Sequence, residues 1–192
     1  MSPMARIKRG ICSVALLCLF SVPALADWLD ININDETLFL EYSYMPFYES
    51  NLHMSFGYLY YSESDGDDVH AGMIGMFIAE RLAENTSVAI GGKAYAIDAL
   101  GEKAVSIALG GAVRQNFPFA PLAGVEAYGY MAPKVTSFGK AERMFETGAR
   151  VFYEVLVNAD VYLGYRNLQV KYDGGSMEEA EDGFHIGLRM RF

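Results

Sequence analysis

Gly183-Phe184-His185-Ile186-Gly187-Leu188-Arg189-Met190-Arg191-Phe192, the stretch GFHIGLRMRF at 183–192, decides the fold. Side chains of a strand alternate between its two faces. Phe184, Ile186, Leu188, Met190 and Phe192 therefore share one face, and His185, Gly187, Arg189 and Arg191 share the other. An apolar face of this kind at a sheet edge is an aggregation hazard in water. In a transmembrane barrel the same pattern is required, with lipid against the apolar face and a polar lumen against the charged one.

The opposite end of the sequence fits that reading. Arg6, Lys8 and Arg9 precede an apolar run from Ile11 to Val22, and Ala24-Leu25-Ala26 forms a small-x-small site before Asp27. This is the layout of a secretory signal peptide, with an apolar core too short to span a bilayer. Residues 1–26 are expected to be removed, leaving 27–192 as one barrel domain. Cys12 and Cys18 both fall in the leader, so residues 27–192 contain no thiol for a disulfide, a metal site or a nucleophile. No cofactor is expected. Phe192, aromatic and closing an alternating strand, resembles the signal by which outer-membrane proteins are handed to their assembly machinery.

Composition narrows the class further. Loss of the leader removes three basic and no acidic residues, leaving 12 against 24 and a net charge of −12. No basic stripe could track phosphates, which excludes nucleic acid as a partner. The sequence is 52% hydrophobic, yet beyond the leader no apolar run approaches 18 residues. Its hydrophobicity is spread as alternation, which suits spanning strands and not spanning helices. Thirteen Tyr, twelve Phe and nineteen Gly suit interfacial aromatic girdles and close strand packing.

Alternating segments recur near 183–192, 159–172, 143–156, 122–132, 103–117, 86–98, 69–80, 51–62 and 37–44, with a shorter one at 28–33. Counting 28–33 gives ten strands, and merging two weak segments gives eight. Bacterial single-chain barrels have even strand counts, and ten is favoured. Connections at 45–50, 81–85, 118–121 and 157–158 read as short periplasmic turns. Those at 63–68, 133–142 and 173–182 read as longer external loops, with 34–36 and 99–102 as short exceptions on the same side. A soluble lipocalin-like barrel would turn its apolar face inward. Here the charged faces are rich in Gly and Ala, which suits a tight interior. The expected fold is an all-β, antiparallel, up-and-down transmembrane barrel in the outer membrane, reached through the periplasm.

Four stretches carry a resemblance to a known family: LDININDETLFLEY at 29–42, YMAPKVTSFGKAE at 130–142, ADVYLGYR at 159–166 and the GFHIGLRMRF end. In their order and spacing the sequence resembles the YfaZ family of Gram-negative outer-membrane proteins. The resemblance implies an outer-membrane barrel, sometimes labelled a porin, and implies no substrate or catalytic residue.

Strand parity places Lys93, Arg114, Glu126, Glu146, Arg150, Arg166, His185, Arg189 and Arg191 on the lumen side. Such groups can set ion selectivity or contact a small solute. They can equally pair with one another, because isolated buried charge is expensive. Bulky Tyr128, Tyr130, Phe152 and Tyr162 are expected to interlock with Ala108, Gly110 and Ala112, leaving too little room for a general diffusion porin. His53-Met54-Ser55 puts an imidazole and a hydroxyl on one face, the pair used by outer-membrane lipid A deacylases. It falls at the periplasmic start of a strand, far from outer-leaflet lipid. Two acidic groups, Glu63/Asp65/Asp67/Asp68 and Glu178/Glu179/Glu181/Asp182, read as solvated loops without calcium-loop spacing. Pro133–Glu142, with Lys134 and Lys140 flanking Ser137-Phe138-Gly139, reads as a plain strand connection, the alternatives being a lid over the barrel mouth or a partner-binding loop. The function expected is a small outer-membrane barrel with an envelope role or a narrow porin-like pore, with outer-membrane lipid and lipopolysaccharide around it. The alternatives are a lipid-modifying barrel enzyme and a soluble periplasmic binding barrel.

Overall fold

The computed structural model describes residues 26–47, 50–62, 68–99, 102–172 and 177–192. The signal-peptide reading, apart from Ala26, and the acidic group Glu63, Asp65 and Asp67 lie outside those residues. Ten long strands wind in sequence order: β1 (Ala26–Ile33), β2 (Thr37–Tyr44), β3 (Leu52–Tyr61), β4 (Val69–Ala83), β5 (Thr86–Ala99), β6 (Glu102–Phe117), β7 (Ala120–Ala132), β9 (Ala141–Leu156), β10 (Ala159–Tyr172) and β11 (Met177–Arg191). A three-residue strand, β8 (Ser137–Gly139), lies between β7 and β9. Each long strand pairs antiparallel with the next, and β1 pairs with β11 to close the barrel, Asp30 facing Arg189 and Ile31 facing Leu188. Closure leaves no free edge among the ten, which is what a bilayer demands of a sheet.

The two faces are inverted relative to a soluble protein. Ile74, Met76, Ile78, Ile90, Leu109 and Ile186 are all more than half exposed on the outside. Asp30, Asn32, Ser55, Ser106, Glu146 and Asp160 are buried inside. Rings sit near both strand ends on the outer wall. Tyr58 Oη lies 2.7 Å from His70 Nδ1 and Tyr60 donates to Asp68 at 3.1 Å, while Phe117 and Phe119 stack at 5.3 Å at the other end. An apolar belt between two aromatic rims is the exterior of an outer-membrane barrel, and that is where this fold resides. Three of the four connections at one end are two residues long (84–85, 118–119, 157–158), which marks the periplasmic side.

Two connections are not the loops expected. β11 starts at Met177, six residues before 183, so most of the 173–182 stretch belongs to the wall. Glu181 there is 1% exposed and paired inside the barrel, so it is no solvated loop residue. Between Pro133 and Glu142 the chain makes a single 3-10 turn (Lys134–Thr136) and then adds β8 to β6, with Ser137 opposite Ser106 and Gly139 opposite Ala104. β7 pairs with β6 no further than Met131 opposite Leu109, and β8 fills the wall above it. Sequence favoured a plain connection; the segment instead extends the sheet.

Candidate functional site

The interior is layered along the barrel axis. Its periplasmic half is ionic. Asp160 accepts from Arg114 Nη2 at 2.8 Å and from both terminal nitrogens of Arg191, at 2.7 and 2.8 Å. The Arg114 guanidinium also lies 3.5 Å from the centre of the Phe152 ring. Above this, two carboxylates and two guanidinium groups from four strands form a ring. Asp30 of β1 accepts from Arg150 Nη1 at 2.7 Å and from Arg189 Nε and Nη2 at 3.0 and 2.9 Å. Tyr162 also donates to Asp30. Glu126 of β7 accepts from Arg189 Nη1 at 3.0 Å and from Arg150 Nη2. Planar guanidinium forks suit this bridging, each spanning two carboxylates.

Nearer the outer side, Arg166 reaches Glu181 at 3.2 Å and the Tyr128 hydroxyl at 3.1 Å, and stacks 4.0 Å from the Phe39 ring. Lys93 Nζ is 3.4 Å from Glu41, and Tyr95 donates across the lumen to Glu146. Above these groups the inner surface turns apolar. Phe39, Leu59, Met73, Ile97, Met144 and Leu168 belong to one continuous buried cluster drawn from β2, β3, β4, β5, β9 and β10. Bulky rings are admitted because glycines face them. A Cβ on Gly148 would run into the Tyr128 ring, and one on Gly187 into the Tyr162 ring.

A cavity of about 340 Å³ runs from Trp28, His53 and Phe77 at the periplasmic end past Arg150 to Lys93 and Glu146. Side-chain exposure rises from 1% at Asp30 to 17% at Arg114 and 33% at Arg191. The cavity is therefore a vestibule that opens at the periplasmic end and stops below the apolar cluster. His53 sits at its mouth, with Nδ1 2.7 Å from Asp27 and its ring stacked on Phe77 at 5.1 Å. Ser55 is buried more deeply, at 1% exposure. His53 is thus directed to a carboxylate, and its geometry gives no support to attack by Ser55.

All nine lumen candidates lie on the inner face. Seven of them, Arg114, Glu126, Arg150, Arg166, Glu146, Arg189 and Arg191, join the ion-pair layers. Lys93 pairs with Glu41, and His185 packs edge-on to Tyr162 at 5.9 Å. Five acidic partners were not among the candidates: Asp30, Glu41, Glu154, Asp160 and Glu181. Parity could have found Glu41, which alternates with Leu40 and Tyr42. Phe192 is exposed, and its N–H donates to the Asp27 carbonyl at 3.0 Å. Asp27 thereby ties the first strand to the last. Among the described residues no cluster of His, Cys, Asp and Glu has the form of a metal site.

Among solved structures, a bacterial polysaccharide outer membrane secretin is similar at a TM-score of 0.50 and 12% identity, covering 81% of this chain. The chain spans only 56% of that protein's length, and the likeness is one of fold. The KdgM porin aligns at a TM-score of 0.45 and 9% identity over 87% of this chain and 99% of its own. The outer membrane channel DcaP of Acinetobacter baumannii aligns at 0.42 and 12% identity, over 90% of this chain and 55% of its own. No curated protein matches the sequence. The family model described as YfaZ precursor matches residues 4–192, nearly the whole sequence, and the chain belongs to the YfaZ family.

Proposed function

We propose that this outer-membrane barrel is closed at rest, non-enzymatic, and built as a periplasm-facing polar vestibule beneath an apolar plug. The plug carries the reading. Leu59, Met144 and Leu168 are fully buried inside the outer half of the lumen, where a diffusion porin keeps water. A hydrophobic constriction of this kind blocks ions by excluding water. The vestibule's groups are engaged with one another, which favours a structural or envelope role over free solute passage. Planar-bilayer recording on refolded protein tests this. The wild type should show no steady conductance, and removal of two cross-lumen side chains by Tyr95→Ala with Leu168→Ala should produce channel events. A stable ohmic pore in the wild type would overturn the plug.

The leader reading belongs to the same proposal. Residues 1–26 are removed on export, leaving Asp27 at the mouth of the vestibule beside His53. N-terminal sequencing of protein from outer membranes should begin Asp27-Trp28, and a start at any other residue would contradict it.

A further inference from the structure

The twelve basic residues of 27–192 are sorted by position. Six (Lys93, Arg114, Arg150, Arg166, Arg189 and Arg191) are inside the lumen, and Arg81 is at the periplasmic end of β4. The remaining five, Lys103, Lys134, Lys140, Arg143 and Lys171, all lie at the external end, on the sector formed by β6, β8, β9 and β10. Adjacent strands bring them together. Gly139 of β8 pairs with Ala104 beside Lys103, and Lys140 follows it. Arg143 pairs directly with Lys171. Lys134 and Lys171 both reach one carboxylate, Glu142, at 3.0 Å. Asp98 of β5 lies directly across the strand pairing from Lys103, 3.7 Å from its Nζ, and borders the sector, while Asp35, Glu36 and Asp68 continue the acidic part of the rim.

Directly below the basic sector the wall is apolar and exposed. Phe138 is 54% exposed, and Val105, Ile107, Met131 and Leu163 face outward beneath it. A strongly acidic chain places nearly all its non-lumenal positive charge over one lipid-facing wall, at outer-leaflet height, where it complements the charge of an anionic amphiphile. We propose that this sector is a binding site for lipid A, with Lys103, Lys140, Arg143 and Lys171 holding its phosphates and the wall below holding its acyl chains. The charge complementarity is that of polybasic segments with anionic headgroups. Burial of acyl chains against Val105, Ile107 and Phe138 adds an apolar contribution that free phosphate lacks. The inference rests on the outer-membrane orientation derived above and not on whether the lumen conducts.

Native mass spectrometry of refolded protein in detergent, with bisphosphorylated lipid A as the probe, tests the site. Folding is checked first by heat-modifiable mobility, which reports the barrel independently of the patch. Wild type should bind one lipid A at least tenfold more tightly than its dephosphorylated form, and more tightly than phosphatidylglycerol. The variant K103Q/K140Q/R143Q/K171Q should fold and lose that preference, while Arg81→Gln should keep it. Should the quadruple variant fail to fold, the pair K103Q/R143Q is to be compared, with a loss of at least threefold expected. Equal lipid A binding by folded variant and wild type would overturn the proposal. So would equal wild-type affinity for phosphatidylglycerol, which would reduce the sector to a general anionic-lipid surface.

Discussion

Asp30→Ala is expected to cost about 3–5 kcal/mol of folding free energy, the usual consequence of breaking a buried ion pair from one side. Asp30 is 1% exposed and accepts four bonds, from Arg150, Arg189 and Tyr162. Its removal leaves the Arg150 and Arg189 guanidinium groups with Glu126 as their shared carboxylate. The same change removes the Asp30–Arg189 ion pair that spans the β1–β11 seam closing the barrel. Urea titration of protein folded into lipid vesicles measures the loss. A cost below about 1 kcal/mol would show that water or rearranged partners satisfy the ring. Arg189→Lys would also be damaging, since one ammonium cannot span Asp30 and Glu126 as the planar fork does. From sequence alone that exchange looks innocuous.

Leu109→Arg is the second large effect. Leu109 lies midway along β6 and is 72% exposed on the lipid face. Arg at the bilayer midplane of a barrel costs about 2–4 kcal/mol and almost nothing near the interfaces. Leu109→Phe, which keeps the face apolar, should change stability little. The same vesicle titration reads both, and an Arg at 109 without penalty would place this position outside the hydrocarbon.

Much of the wall was legible because alternation is a local property. β6 reads cleanly, with Val105, Ile107 and Leu109 out and Ser106 and Ala108 in. Even the short first strand, read as 28–33, appears as Ala26–Ile33. The plug was not legible. In β4, Val69, Ala71 and Met73 point inward while Ile74, Met76 and Ile78 point outward, so both faces are apolar and alternation carries no information there. Parity gives a side and not a height, and the division of the lumen into an ionic half and an apolar half emerges only when strands are set in register. The same reason hid Asp30 and Asp160. Each faces Arg189 across a strand pairing, and the first of those pairings exists only because the barrel closes. Glu181 was missed because its acidic neighbours make the segment look like a loop.

Residues 27–192 lack cysteine, so single cysteines along β6 give the most direct test of a lipid-facing exterior around a plugged lumen. A fluorophore attached through a cysteine at 105, 107, 109 or 113 should be quenched by nitroxide-labelled lipid. Cysteines at 104 and 108, within the plug, should resist a water-soluble maleimide from either side. A cysteine at 112, on the vestibule wall, should react only when the reagent enters from the periplasmic side. An inverted pattern, with fluorophores at 104 and 108 quenched by lipid, or free reaction of 104 and 108 from outside, would contradict the account.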